Sequence, residues 1–371
     1  MQLSYWELKN WFSNVDFTIV GSGIVGLHTA IRLRERFPKA KIILLEKGVL
    51  PQGASTKNAG FACFGSVSEI IDDLKTHTEE EEVIQLIQKR YSGLQLLREN
   101  LGDAVIDYQP LGGYELFLKE DEAFYNDCVS KIPFINEIVR PLFKSDVYTK
   151  VSNTFQFKNT FEHLIFNSFE GQIDTGNMMQ ALLKKAALHD ILILNNQTVS
   201  QYQELNDEIE VVTNEVSFKT KKLIFTTNGF ASELTKNQVK PARAQVLITK
   251  PIANLDIKGT FHLDKGYSYF RNINNRILLG GGRNLDFEGE TTTSLETSEK
   301  IQNHLEDLLK NVILRDTPFE IEHRWSGIMG IGNSKKPIVQ QVSNHVYCGV
   351  RMGGMGVAIG SLIGKEVADL V

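Results

Sequence analysis

The run Gly21-Ser22-Gly23-Ile24-Val25-Gly26 and, about twenty residues beyond it, Glu46 together suit the binding of a dinucleotide. Gly21 and Gly23 permit a tight turn and let the main chain approach a pyrophosphate, and Gly26 lets a helix pack closely on a strand. The helix that Ile24 and Val25 open would face the phosphates with unpaired N–H groups and positive partial charge. Glu46 can accept hydrogen bonds from both hydroxyls of a ribose and would repel a 2′-phosphate, which disfavours NADP. The motif alone does not separate NAD from FAD.

Such a motif works only between a strand and a helix. Residues 17–20 read as a strand, 24–36 as an amphipathic helix and 41–46 as the next strand of a βαβ unit. After a small-residue loop over 48–65, a long helix is expected to begin near Thr76 or Thr78. Glu79, Glu80, Glu81 and Glu82 fall in its first turn, where carboxylates suit the helix dipole, and Val83, Leu86, Ile87, Tyr91, Leu94, Leu97 and Leu101 make one buried face. From Gly112, alternating runs such as 114–118 suggest a sheet with one face open, followed by a helical segment from Asp121 that Pro133 interrupts or kinks.

A helix through Leu188 and a strand over 191–194 restore the α/β rhythm. A hairpin over 208–213 and 215–220 follows, then a separate apolar strand over 223–227 that ends at Asn228-Gly229. Alternation returns at 245–249, 260–263, 267–271 and 276–279, before a helix over 298–312. A short strand, the turn Arg351-Met352-Gly353-Gly354-Met355-Gly356 and a terminal helix close the chain.

A chain of 371 residues that is 42% hydrophobic has room for two domains with buried cores. Its net charge of −5 argues against nucleic acid as a partner, and Lys219, Lys221 and Lys222 read as a solvated edge. Cys63, Cys128 and Cys348 are too scattered for a disulfide framework or a zinc site, so a reducing, cytoplasmic compartment is expected. The first residues lack the pattern of a signal peptide, and the most apolar stretch, 17–31, is too short for an integral membrane segment. The oligomeric state is left open.

Taken together, the pieces resemble the D-amino-acid oxidase-like (DAO) superfamily of FAD-dependent oxidoreductases, which includes glycine, sarcosine and γ-glutamylputrescine oxidases. The resemblance rests on the N-terminal motif, Gly53-Ala54-Ser55-Thr56-Lys57-Asn58-Ala59-Gly60, Gly171-Gln172-Ile173-Asp174 and Thr227-Asn228-Gly229. Pro241-Ala242-Arg243-Ala244-Gln245, Trp325-Ser326-Gly327 and the C-terminal glycine turn complete it. It implies an α/β fold: a Rossmann-like FAD-binding domain (1–88, 165–235, 325–371) and a discontinuous α+β substrate domain (89–164, 236–324) built on a mostly antiparallel sheet.

The resemblance further implies FAD in an extended pose, with adenosine at Glu46 and Lys47 and the isoalloxazine between the domains. Ala54, Ser55, Lys57, Asn58, Ala59, Gly60 and Phe61 match the loop that wraps the pyrophosphate and passes the flavin; Val199 matches the position whose backbone holds adenine. Thr227, Asn228 and Gly229 match the turn beside the diphosphate, and Gly327 and Met329 lie in the matching C-terminal segment. Arg351, Met352, Gly353, Gly354, Met355 and Gly356 match the turn at the pyrimidine edge, where the following helix would stabilise negative charge on reduced flavin. Asn58 stands where members with histidine-linked flavin carry the histidine, and residues 327–332 lack the sarcosine-oxidase cysteine, so non-covalent FAD is expected. Cys63 reads as a small buried apolar residue.

Met329 replaces the arginine that pairs with the substrate carboxylate in glycine oxidase, which disfavours a simple α-amino acid unless Arg271 or Arg351 substitutes. Strand alternation would place Tyr267, Tyr269 and Arg271 on one face. Phe61, Tyr267, Tyr269, Arg271, Met329 and Arg351 are thus the candidate substrate contacts.

The implied chemistry is hydride transfer from the C–H beside an amine nitrogen to flavin N5, giving an imine that hydrolyses. The substrate is an amine or amino-acid-like small molecule, and oxygen or another electron acceptor completes the cycle. Deprotonating the ammonium costs about 4–5 kcal/mol at neutral pH, and an apolar cavity lowers that cost, so no catalytic base is assigned. Among the histidines His262, His323 and His345, only His323, beside Trp325, suggests a proton shuttle. No metal site is expected, and the absence of G-x-S-x-G and H-E-x-x-H patterns excludes serine-hydrolase and zinc-protease readings. The alternatives are an FAD-dependent 2-hydroxy-acid dehydrogenase and a non-catalytic flavin-binding or scaffold protein.

Overall fold

The structure is a computed structural model that describes residues 2–76, 79–232, 234, 238–315 and 317–371. Val15–Val20 is almost wholly buried, the mark of a central strand of a parallel sheet covered on both faces. It pairs in parallel with Ile42–Leu45 on one side and Ser217–Phe225 on the other, and the parallel array extends to Leu192–Leu194 and Val346–Val350. Ile338–Gln341 adds an antiparallel edge.

The helices Ile24–Arg36, Glu80–Leu101, Thr175–Leu188 and Gly356–Leu370 bury their apolar faces in one core on one side of this sheet. Val83, Leu86, Ile87, Leu94 and Leu97 of the long helix are buried as the spacing requires, whereas Tyr91 and Leu101 are half-buried. Thr78 lies outside the described residues. The other side is covered by the meander Val199–Glu204 and Ile209–Thr213. The expected hairpin strand and the apolar strand after it are one element, Ser217–Phe225. Its alternating half pairs with the meander and its continuously apolar half enters the parallel sheet.

A second sheet runs in the order Ile321–Ile331, Lys240–Thr249, Arg276–Gly281, Ser268–Ile273, Thr260–Leu263, Gly113–Glu115, His163–Asn167 and Tyr148–Ser152. Among these pairs only Thr260–Leu263 with Gly113–Glu115 is parallel. Contrary to the expectation of an open face, both faces are covered at the centre. Phe261, Phe270, Leu247 and Leu279 pack beneath Glu299–Leu308, while the opposite face meets the loop before Phe61 and, farther along, the helices Val67–Thr76 and Glu122–Phe143. Pro133 does not interrupt its helix, because Cys128, Ile135, Ile138, Val139 and Phe143 anchor both halves in one core; that burial outweighs the lost hydrogen bond. No helix among the described residues is long and apolar enough to cross a membrane.

Candidate active site

Gly21 adopts a positive φ of 106°, and a Cβ on Gly26 would run into the Gly21 carbonyl, so the turn between strand and helix closes as tightly as the motif requires. The helix begins without a side chain at its cap, and the Ile24 amide donates to Ser55 Oγ at 2.9 Å, which leaves the hydroxyl proton free to turn outward. Glu46 is buried; its Oε2 accepts from the Ser22 amide at 3.1 Å and the Ser22 hydroxyl at 2.7 Å, and its Oε1 from the Gly48 amide at 3.0 Å. A ribose at this carboxylate would share it with Ser22. Lys47 instead stacks its ammonium over the Phe230 ring, 3.3 Å from the centroid, and Val199 opens the strand Val199–Glu204. The Gln197 amide reaches the Glu46 carbonyl at 2.8 Å and so brings that strand to the motif.

Three distant segments meet at the same carboxyl ends of the parallel strands, on the side of Val346–Val350. Asn228, with a left-handed φ of 46°, accepts the Arg351 and Met352 amides on its Oδ1, and the Gly353 amide donates to the Gly330 carbonyl at 3.1 Å. Met329 lies against this turn: a Cβ on Gly354 would sit 3.5 Å from its sulfur. The Met355 sulfur is 3.6 Å from Cys63 Sγ, and burial pushes the Cys63 thiol well up. Arg351 turns its guanidinium to the Lys336 carbonyl at 2.7 Å. Thus Thr227 to Gly229, Gly327 to Gly330 and Arg351 to Gly356 form one wall.

The loop before Phe61 is shaped from within. Asn58 donates to the Ala54 and Ser55 carbonyls and accepts from the Gly60 amide and Thr175 Oγ1, so its amide is fully engaged. Trp325 Nε1 donates to the Lys57 carbonyl at 2.9 Å and pins the loop to the second sheet. That sheet presents to it the cross-strand row Glu115, His262, Tyr269, Gly280, Val246 and Trp325, and beside it Thr260, Arg271, Leu278, Ile248 and His323. Ala59, Val246 and Leu278 are the buried centre of one apolar cluster here; half-buried Phe61, Tyr269 and Trp325 pack against it, with Phe61 set edge-on to Tyr269 and His262.

Arg271 is buried, donates to the Gly60 carbonyl at 3.0 Å and the Ile173 carbonyl at 2.6 Å, and leaves its Nε without a partner among the described residues. Burial lowers its pKa to about 10. The expected alternation holds for Tyr269 and Arg271 but not for Tyr267. A turn over Asp264–Gly266, with Lys265 left-handed, delays the strand to Ser268, and Tyr267 packs on Phe287 at the margin. His323 stacks on Trp325 but is exposed.

Sequence reasoning missed the partners of His262. Its Nε2 meets Glu170 Oε1 at 2.5 Å, Thr260 Oγ1 donates to the same oxygen, and Glu115 accepts from Ser66 and Ser68 nearby. Burial alone would depress the imidazole, yet Glu170, Glu69 and Glu115 outweigh it and raise His262 to about 9, while burial raises Glu115 to about 7. The one available signal was a glutamate at the inward-facing Glu115 position of a strand. Cys63, Glu170 and His262 are the single trio among the described residues with metal-ligand geometry, although the imidazole is already committed to Glu170.

Residues 16–370 match the family DAO, FAD dependent oxidoreductase, and the chain belongs to it. It is 22% identical to the probable oxidoreductase OrdL of Haemophilus influenzae and 23% to gamma-glutamylputrescine oxidoreductase of Escherichia coli, in each case over 96% of this chain and 83% of the relative. Glycine oxidase from Geobacillus kaustophilus superposes with a TM-score of 0.76 at 18% identity, covering 96% of this chain and 94% of that one. L-proline dehydrogenase from P. horikoshii gives 0.75 at 17%, covering 96% and 93%. The protein is an FAD-dependent oxidoreductase. The tight turn at Gly21 and Gly26, the buried Glu46 and a helix N-terminus whose cap residue Gly23 brings no side chain fit the cofactor.

Proposed function

We propose that the enzyme oxidises a primary or secondary amine, or an N-substituted amino acid, at the C–H bond next to nitrogen, releasing an imine that water hydrolyses. Bound FAD supplies the hydride acceptor. Glu46 and the Gly21 to Gly26 turn would hold its adenosine and pyrophosphate, the Thr227 to Gly229 and Arg351 to Gly356 wall its far end, and the loop over 54–61 its flank, without a covalent link. In this reading the parallel-sheet lobe binds the cofactor and the antiparallel lobe the substrate.

The observation that supports this reading best is the apolar cluster of Ala59, Phe61, Val246, Tyr269, Leu278 and Trp325 between loop and sheet. It excludes water and disfavours a charged ammonium, which leaves the neutral amine that can give up hydride. A 2-hydroxy-acid dehydrogenase would need a neutral imidazole to take the hydroxyl proton, whereas Glu170 holds His262 charged. Buried free cysteines at 63, 128 and 348 accord with a reducing cytoplasm. Product analysis tests the reading: turnover of an amine releases ammonia or a smaller amine in step with a carbonyl compound. Turnover confined to 2-hydroxy acids, with no nitrogen released, refutes it.

A further inference from the structure

Ile273 belongs both to the apolar cluster and to the wall of a small polar cavity of about 40 Å³ behind Gly60, lined also by Asp107, Gln109, Gln172, Arg271 and Asn274. Two side chains of that wall, each only 2% exposed, leave a polar atom without a partner among the described residues: the Nε–H of Arg271 and the Oε1 of Gln172. Arg271 Nη1 and Gln172 Nε2 are held in place. Arg271 Nη1 holds the Gly60 and Ile173 carbonyls, and Gln172 Nε2 donates to Gln109 Oε1 at 3.0 Å. No carboxylate makes a direct ion pair with Arg271 among the described residues; Asp174 and Asp107 favour its charge only from a distance, and the buried cation faces the cavity. Asp107 adds an exposed carboxylate at the rim, steadied by Gln109 Nε2 at 2.9 Å.

A cation with a free donor, an unfilled amide acceptor and a rim carboxylate are complementary to a carboxylate and an ammonium carried on one molecule. We propose that this cavity binds the α-amino-acid end of the substrate, its carboxylate on Arg271 and its ammonium toward Gln172 and Asp107, so that a different nitrogen is presented to the apolar cluster. The proposal rests on the amine-oxidation reading and narrows it to amines that bear a zwitterionic head. It also explains how the chain recognises a carboxylate with Met329 at the usual arginine position and Arg351 turned to the main chain.

Glycine, the smallest molecule with both charges, and acetate, with one, serve as probes for equilibrium dialysis against the holoenzyme. Glycine is expected to bind without bleaching the flavin and at least tenfold more weakly to Arg271→Gln. Asp107→Asn, at an exposed position that keeps the fold even if the arginine variant does not, is expected to weaken glycine severalfold and leave acetate unchanged. Bleaching by glycine itself would put the α-nitrogen at the reacting position and overturn the proposal, as would equal losses of glycine and acetate in Asp107→Asn. Flavin bleaching by simple amines without glycine binding defeats the cavity alone. Glycine binding with no amine ever bleaching the flavin supports the cavity and defeats the reading beneath it.

Discussion

Asn228 Oδ1 accepts the backbone amides of Arg351 and Met352, both at 3.1 Å, and thereby ties the end of a parallel strand to the glycine turn that opens the terminal helix. Removing the side chain leaves two amides unpaired, at about 1–3 kcal/mol for a buried group. Asn228→Ala is therefore expected to lower the urea midpoint and to loosen FAD, and Asn228→Asp, which keeps the acceptor, to do so less. Equal midpoints for Ala and Asp variants would show that the bonds are not what holds the turn.

Glu46→Gln keeps the volume of the side chain and removes its charge. Hydrogen bonds to a charged group contribute about 1.5–3 kcal/mol, so FAD affinity should fall on the order of 10- to 100-fold, read as flavin released during ultrafiltration. An unchanged dissociation constant would place the adenosine elsewhere.

The strand, the glycine turn, the helix Ile24–Arg36 and Glu46 were legible because they lie within one short, locally coded unit. The meeting of Asn228 with Arg351, or of Glu170 with His262, was not: these contacts join residues 123 and 92 positions apart and depend on strand order and register. Tyr267 was misplaced by a local cause, the left-handed Lys265 in the turn that delays the strand to Ser268. Pro133 does not interrupt its helix because helix-breaking is a local tendency and the core around Ile135 and Val139 is tertiary.

Two histidines give opposite pH dependences. Burial, helped by Lys185, depresses His28 to about 3, below its unfolded value of about 6.5, so its contribution to stability is present above pH 6.5 and lost as the pH falls toward 3. His262, raised to about 9, contributes fully below pH 6.5 and loses that contribution as the pH rises through 9. Melting temperatures across pH should therefore fall less toward acid in His28→Leu and less toward alkali in His262→Gln than in the wild type, the latter variant being less stable by a few kcal/mol at pH 7. Parallel curves for wild type and variants would contradict both assignments.

Asn58 spends its amide on the Ala54, Ser55, Gly60 and Thr175 contacts and offers no nucleophile to the flavin. Acid precipitation of the yellow protein should leave all the colour in the supernatant. A yellow pellet would reveal a covalent bond.

The most direct measurement is an anaerobic titration of the purified holoenzyme, following the oxidised-flavin absorption band as amines are added. Bleaching by an amine, with a carbonyl product and released nitrogen equal to the flavin reduced, is the predicted result. A band that dithionite bleaches but no amine or amino acid affects would contradict amine oxidation at the cluster around Phe61 and Tyr269.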